Sequence, residues 1–385
     1  VIHAPSSEAE ACDIARAARA DARTLDIKGG GTRAGLGRPS QTDATLTSRG
    51  LSGVTAYKPA ELVMSARAGT PMSEIEAALA ENGQMLPFEP MDHRTLYATQ
   101  GEPTIGAVAA CNISGPRRVK AGAARDSLIG VRLVNGRGEA VSSGGRVMKN
   151  VTGLDLVKLN CGAHGTLGFL TEVTFKLLPR PERTATLIIE GLDDARAIAA
   201  MSKALASPYE VSGAAHLPGA TARTLLRVEH FEASVSYRLG ELTRLLNPFG
   251  AVRTIDGEEA ETSWRDVRDC APLAGASGAI WRASLPPSRA AAFIEGLKAS
   301  GAARNWFYDW GGGLVWLAAD ASADVHAAAA QAGGHATLTR AADEMRARTD
   351  VFQPLQRTVM ELTARIKTSF DPDRILNPGR MYPGV

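Results

Sequence analysis

The feature that most constrains this chain is the run Lys28-Gly29-Gly30-Gly31-Thr32-Arg33, directly after a short β-prone stretch, Thr24-Leu25-Asp26-Ile27. Three consecutive glycines remove three Cβ atoms, so backbone N–H groups can turn the same way and cluster around an anion. A main chain arranged like this holds pyrophosphate oxygens without a cationic side chain. Two commoner phosphate loops do not fit. Gly29-x-Gly31-x-x-Ala34 matches the dinucleotide fingerprint in form, but that fingerprint needs a helix beginning within the glycines, and Gly35, Gly37 and Pro39 follow instead. A nucleoside-triphosphate loop needs Gly-Lys-Ser/Thr, and the chain has no Gly-Lys pair. Taken alone, the triple glycine also fits a tight chain reversal, so its meaning depends on its company.

Two other glycine-bearing stretches supply that company: Thr104-Ile105-Gly106 running to Gly115, and Cys161-Gly162-Ala163-His164-Gly165-Thr166-Leu167-Gly168. Around them stand Leu86-Pro87-Phe88-Glu89-Pro90, Asn112-Ile113-Ser114-Gly115-Pro116-Arg117-Arg118, Val147-Met148-Lys149-Asn150-Val151-Thr152-Gly153-Leu154-Asp155 and Gly165 through Val173. Phe370-Asp371-Pro372 and Asn377-Pro378-Gly379-Arg380-Met381-Tyr382 close the chain. In order and separation these pieces resemble the PCMH-type FAD-binding family of vanillyl-alcohol oxidase and p-cresol methylhydroxylase, and within it the E-type FAD-binding subunits of bacterial glycolate oxidases. The likeness is close from about residue 20 to 183, thin from 184 to 340, and returns at the C-terminus.

The resemblance implies an α+β protein: a two-subdomain FAD-binding domain over 1–183, a smaller α+β cap with an antiparallel sheet over 184–340, and a segment, 341–385, that returns to the FAD domain. It implies one FAD, held non-covalently. Gly29, Gly30, Gly31 and Thr32 would hold the pyrophosphate, with Lys28 and Arg33 adding charge. Gly106 through Gly115 and Gly122 would lie beside the ribityl chain and isoalloxazine, and Gly165, Gly168 and Leu170 would border the adenine half. Pro90, Ile105, Asn112, Ser114 and Asp126 complete the implied cofactor set. Two positions depart from the family pattern: Ala107 adds a methyl group where a second glycine is common, and Ala163-His164 replaces a Ser-Glu pair. No histidine falls in Gly29–Gly37, where some relatives attach the flavin covalently; His93, His164, Cys111 and Cys161 flank other implied cofactor segments.

Composition is compatible with this. At 385 residues, 44% hydrophobic and 22% charged, the chain has material for two or three domains of ordinary globular kind. A formal net charge of +2 gives no polyelectrolyte signal for nucleic acid, and Arg117, Arg118, Lys120 and Arg125 form too short a basic cluster. The cysteines at 12, 111, 161 and 270 have no Cys-x-x-Cys spacing, which argues against a locally ligated zinc or iron–sulfur cluster and for a reduced, cytoplasmic setting. No apolar run approaches the ~18 residues that span a bilayer, so any association with the inner membrane face is expected to be peripheral, through partners.

Apolar spacing predicts helices over 7–22, over 71–81 with Asn82-Gly83 as its stop, and near 193–206, 233–246, 288–300 and 321–332. Leu128–Val134 and Glu139–Ser143 read as a hairpin turned at Asn135-Gly136. Further strands are expected at 186–190, 223–229, 281–285 and 314–318. The stretch 104–113 is small and apolar, suited to close packing against a ligand or backbone. No fixed-period repeat stands out.

The reaction implied is oxidation of glycolate or another 2-hydroxy acid, in which a flavin takes a hydride from the hydroxyl-bearing carbon. Single-chain relatives hold a metal with a histidine pair and a Glu-His-Gly sequence. Here Glu229-His230 is followed by Phe231, and His216, His326 and His335 show no ligand spacing with it. The expected partners are therefore a related D-type flavoprotein subunit and an iron–sulfur subunit that carries electrons onward. Arg117, Arg118, Lys149 and Arg380 are available cations, and none has an assigned catalytic role. Two other readings stay open: a self-sufficient FAD-dependent alcohol or 2-hydroxy acid dehydrogenase, and a non-catalytic assembly subunit that keeps the cradle.

Overall fold

The computed structural model describes residues 1–145 and 154–385; the motif Val147–Gly153, with Lys149, lies outside the described residues. Two main sheets, beside a two-stranded pairing of Gln84–Met85 with Leu178–Pro179, occupy the amino-terminal half. The smaller is parallel, in the order Ile2–His3, Ala44–Thr47, Leu25–Lys28. Helix Glu8–Ala20 covers it with Ala11, Cys12, Ala15 and Ala18 on one buried stripe, and the Ser7 hydroxyl caps it by accepting from the Glu10 N–H. The larger is antiparallel, in the order Val54–Lys58, Val63–Arg67, Phe169–Lys176, Leu128–Val134, Ala140–Gly144. Helix Met72–Glu81 follows the predicted span, and the small apolar stretch after Thr104 forms a short helix, Ile105–Cys111, whose Val108 and Ala109 are fully buried. These two sheets are the two-part arrangement that the resemblance implies.

The largest sheet among the described residues has eight antiparallel strands. Its chain order hides a repeat. Strand Arg183–Glu190, helix Asp194–Leu205, strands Val211–Leu217 and Arg223–His230, helix Glu232–Leu246 and strand Val252–Asp256 form one βαββαβ unit. After helix Gly257–Arg268 the pattern recurs: Ala279–Ser284, Pro287–Ala299, Ala303–Asp309, Leu314–Ala319, Val325–Gln331 and His335–Arg340. Within each unit the first strand lies between the third and the fourth, and the units meet where Val211–Leu217 pairs with Ala303–Asp309 at His216 and Tyr308. The repeat is one of topology, so it leaves no periodic motif in the residues. Helices pack on one face of the sheet through a core that includes Trp281, Tyr308 and Leu317. The other face turns toward the amino-terminal half, where Ile188, Leu225, Ile280 and Trp316 share a cluster with Met91 and Leu96.

The C-terminal residues run back to the small parallel sheet, with Leu376 bridged to Leu25 and the Leu25 N–H donating to the Ile375 carbonyl at 2.7 Å. One buried ion pair shapes this return. Lys367 Nζ donates at 2.7 Å to the Asp371 carboxylate and to the carbonyls of Thr166 and Leu376, so all three ammonium protons are used. Asp371 accepts in turn from the N–H groups of Ile375 (3.0 Å) and Leu376 (2.8 Å). Neither residue has exposed surface. Lys367→Met is therefore expected to leave a buried carboxylate unpaired and to cost about 3–5 kcal/mol, read as a lowered denaturant midpoint with unchanged m-value; a loss below 1 kcal/mol would refute this account of the pair.

Candidate cofactor site

Strand Leu25–Lys28 delivers the glycine loop to the end of the parallel sheet, and the loop's peptide groups are sorted by direction. Every carbonyl from Gly29 to Arg33 accepts a hydrogen bond from the protein. Thr47 Oγ1 donates to Gly29 O (3.1 Å), Arg49 Nη2 to Gly30 O (2.7 Å) and Thr99 Oγ1 to Thr32 O (3.1 Å). The Ala34 and Leu36 N–H groups donate to Gly31 O (3.3 Å) and Arg33 O (3.0 Å). Among the described residues, the N–H groups of Gly30 to Arg33 have no protein acceptor. Four adjacent unspent donors are what a backbone nest offers an anion.

The glycines are needed for different reasons. Gly31 has φ +82°, the left-handed region, and a side chain there would meet nothing closer than the Arg49 guanidinium at 3.8 Å. A Cβ on Gly30 would land on the Glu102 carbonyl oxygen, and one on Gly29 on the Thr104 hydroxyl, so both are there for close approach. Gly106 is pressed on Ala68 in the same way, and its N–H donates to the Ala68 carbonyl at 2.9 Å.

These residues open into a cleft of about 740 Å³. Of the residues expected to bind the cofactor, Lys28, Gly29, Gly30, Gly31, Thr32, Arg33, Gly106, Gly165, Gly168 and Leu170 line it together. Asn112 and Ser114 line an adjoining cavity that shares Leu36, Cys111 and His164 with the cleft. The other five line neither. Ile105 is buried in the core, Pro90 borders cavities on another side, and Gly115 is held against the Glu89 carbonyl. Gly122 has φ +82° opposite the Asp126 side chain, which accepts from the Ala123 N–H at 2.8 Å. Ala107 does face the cleft, with its methyl group against Gly29.

The charged side chains that line the cleft among the described residues are Lys28, Arg33 and Arg380, of which Lys28 is paired with Asp26 at 2.6 Å. Arg33 is buried, with Nε on His93 Nδ1 and Nη2 on the Met91 carbonyl, both at 3.2 Å, while Nη1 is buried without a partner among the described residues. Burial and the Arg33 charge push the His93 imidazole well below its ordinary range, so it stays neutral and accepts from Arg33. His164 adopts φ +51° at the junction of the two cavities, and burial with the Arg380 charge pushes it down to about 3. A nest of free N–H groups beside unneutralised arginines fits a pyrophosphate.

Asn377 and Arg380 complete the cleft from the far end of the chain. Asn377 accepts from the Ile27 N–H and donates to the His164 carbonyl, each at 2.7 Å, stapling the loop's strand to the turn across from it. Only the C-terminal motif flagged them in the sequence. Of the other candidate cations among the described residues, Arg117 and Arg118 are occupied elsewhere, as is the neighbouring Arg227. Arg117 pairs with Glu229 at 3.0 and 2.8 Å, and Arg227 pairs with Glu89 at 3.0 Å twice. Burial alone would raise Glu229, but Arg227 and Arg117 hold it well below the carboxylate range. Arg118 lies over the Trp310 ring at 4.5 Å.

Comparison with known proteins agrees with this arrangement. Residues 1–144 match the FAD binding domain family. The chain is 36% identical over 381 residues to glycolate oxidase subunit GlcE of Escherichia coli, covering 96% of this chain and 98% of that protein. A shorter likeness, 42% over 85 residues, joins it to glycolate oxidase subunit GlcD of Bacillus subtilis, covering 22% of this chain and 18% of that protein. In fold it is similar to 4-ethylphenol oxidase of Gulosibacter chungangensis, with a TM-score of 0.75 at 14% identity, covering 99% of this chain and 89% of that one.

Two outcomes are expected of the loop and its neighbour. Gly30→Ala drives a methyl group into backbone and should abolish flavin retention, whereas Gly31→Ala costs roughly 1–2 kcal/mol of left-handed strain and should keep most of it; flavin-to-protein absorbance ratios compare the two. His164 titrates near 3 when folded against about 6.5 when unfolded, so its contribution to stability is complete above pH 6.5 and is lost as pH falls toward 3. His164→Asn, tolerated at positive φ, should flatten the pH dependence of urea stability below 6.5 by up to about 1.4 kcal/mol per pH unit; identical slopes would contradict the burial argument.

Proposed function

Because the chain belongs to the family of glycolate oxidase E subunits, we propose that it is the FAD-binding subunit of a multisubunit oxidase for glycolate or a related 2-hydroxy acid. The chain is an FAD-dependent oxidoreductase subunit, and the observation that carries the reading is the glycine loop with its carbonyls held and its N–H groups free. In this reading Gly30 to Arg33 bind the pyrophosphate through the backbone, and Lys28, Arg33 and Arg380 balance its charge. Gly106, Ala107 and Ala110 present a small-residue wall to the rest of the cofactor. The eight-stranded sheet walls one side of the adjoining cavity through Arg282, Trp316, Thr337 and Thr339. When bound, FAD supplies the acceptor for a hydride from the carbon that bears the substrate hydroxyl.

Two features support non-covalent binding. Burial raises the Cys111 thiol above its ordinary range, which disfavours the thiolate that attachment would need, and the His93 imidazole is already engaged by Arg33. For partners, the likeness to proteins named as the E and D subunits of glycolate oxidase supports a complex with a D-type flavoprotein. An iron–sulfur subunit would take electrons onward, since the four cysteines are free and among the described residues no three metal-ligating side chains group together. No helix among the described residues is long and apolar enough to cross a membrane, which suits peripheral association through partners.

Acid precipitation of the purified yellow protein is expected to release FAD into the supernatant at about one per chain. Flavin left in the pellet would overturn the non-covalent reading, and a colourless protein that takes up no FAD on titration would overturn the assignment.

A further inference from the structure

The cavity beside the cofactor cleft holds a cation, Arg282, that makes no ion pair among the described residues. Arg282 lies in strand Ala279–Ser284, between Leu314–Ala319 and His335–Arg340, with Trp316 and Thr337 as its register partners. Alternation along the strand sends Ala279, Trp281 and Ala283 into the helix-covered core and turns Ile280 and Arg282 to the opposite face, toward the amino-terminal half. There Arg282 lines the cavity with Trp316, Thr337 and Thr339, facing Asn112, Ser114 and His164.

Among the described residues Arg282 makes no hydrogen bond or ion pair; its one recorded contact is with the Trp310 ring at 4.9 Å. Of the charged groups that act on it only Asp309 is of opposite sign, and among the described residues the two make no ion pair. Arg118, over the same ring, is of like sign, and His335 is held toward its neutral form by burial and by both arginines. Asp309 is buried, accepts from the Trp310 N–H at 2.7 Å, and is pushed up to about 7, chiefly by burial. Among the described residues no carboxylate lines the cavity. A guanidinium held partly out of water without a partner is costly unless an anion completes it. Its planar fork of donors matches a carboxylate in two-point geometry. The other groups around it are the Ser114, Thr337 and Thr339 hydroxyls and the Asn112 amide, which suit a second oxygen. The space, about 550 Å³ including its open mouth, admits only a small ligand.

We propose that Arg282 anchors the carboxylate of a small 2-hydroxy acid, so that this chain carries a substrate site of its own next to its cofactor cleft. The proposal rests on reading the adjoining cleft as the FAD site, from which the cavity is separated only by Leu36, Cys111 and His164, residues that line both. The eight-stranded sheet then supplies the grip on the substrate and the amino-terminal half supplies the cofactor. Arg282 is a positioning residue in this account, since it holds the end of the substrate away from the carbon that reacts.

The test is equilibrium binding of oxalate, a two-carbon carboxylate that a flavin does not oxidise by hydride removal, to the FAD-loaded chain. Binding is followed by flavin absorbance and, independently of the flavin, by calorimetry. Arg282→Met is expected to weaken oxalate at least tenfold with flavin content and melting temperature unchanged, and Arg282→Lys to recover part of that loss. Arg357→Met, a change of an exposed arginine at the surface, should leave the affinity alone. Thr337→Val provides a second variant should Arg282→Met fold poorly, with a smaller weakening expected. Equal affinity in wild type and Arg282→Met, or no oxalate binding by wild type, overturns the proposal. A variant that loses flavin but binds oxalate as before would assign Arg282 to the cofactor and overturns it too. If wild type takes up no FAD, the FAD reading fails by itself, and calorimetry still decides whether an Arg282-dependent carboxylate site exists.

Discussion

The direction of five peptide groups decides what the amino-terminal half can bind. From Gly29 to Arg33 each carbonyl is claimed by a neighbour, and three of those neighbours are side chains from outside the loop: Thr47, Arg49 and Thr99. Holding the oxygens on one side points the N–H groups to the other. A glycine-rich loop without such anchors would be a flexible turn, and the entropy of ordering it would fall on the ligand. Here the fold has ordered it in advance. The close approaches behind Gly29, Gly30 and Gly106 serve the same end, since each pins the loop or its facing helix against a neighbour, the Thr104 hydroxyl, the Glu102 backbone or Ala68, where no side chain fits.

Preorganisation of this kind needs support from remote parts of the chain. Asn377 ties Ile27 to His164, and the Lys367–Asp371 pair holds the segment that carries Asn377 against Thr166. All three contacts converge on the walls of one cleft, yet their members are separated by some 200 to 350 positions. A buried lysine with three acceptors and a buried aspartate with two backbone donors form a rigid joint because either partner alone would be a naked charge in the interior. That is the physical reason for the polar residues so deep in this core.

Much of the fold was legible locally. Met72–Glu81 could be read from its apolar spacing and the Asn82-Gly83 stop, and the hairpin from alternation on either side of Asn135-Gly136. Strands Val211–Leu217, Ala303–Asp309 and His335–Arg340 were not. Val211–Leu217 is Gly- and Ala-rich and is buried along almost its whole length, so neither propensity nor alternation marks it. Helix Gly257–Arg268 is mostly polar and buries few residues, chiefly Ala260, Trp264 and Val267, so its periodic signal is short. The βαββαβ repeat resides in strand order, which no residue spacing records. In the site, the glycine loop could be read because its chemistry is contiguous. Arg282 could not, because what sets it apart is the absence of a partner, and partners come from elsewhere in the fold.

The sheet face that looks toward the cofactor half carries two arginines in contrasting states. Arg227, in the first βαββαβ unit, is buried against Trp264 at 4.6 Å and bound at two points by Glu89, a residue with φ +51° that the amino-terminal half extends toward it. With Arg117 and Glu229 it forms an ion-pair network of two cations and two anions across the junction. Such a network is neutral within itself, and it fixes the register of the two halves because bidentate geometry tolerates little sliding. Arg282, in the second unit, meets the same half where that half offers amide and hydroxyl groups but no carboxylate. A complementary anion there would have made a second fastening of the same kind. Without it, the charge faces a cavity that a small ligand can enter, and the neighbouring network keeps that cavity in place while the ligand comes and goes. One arginine thus sets the position of the sheet over the glycine-loop cleft, and the other is free to use that position.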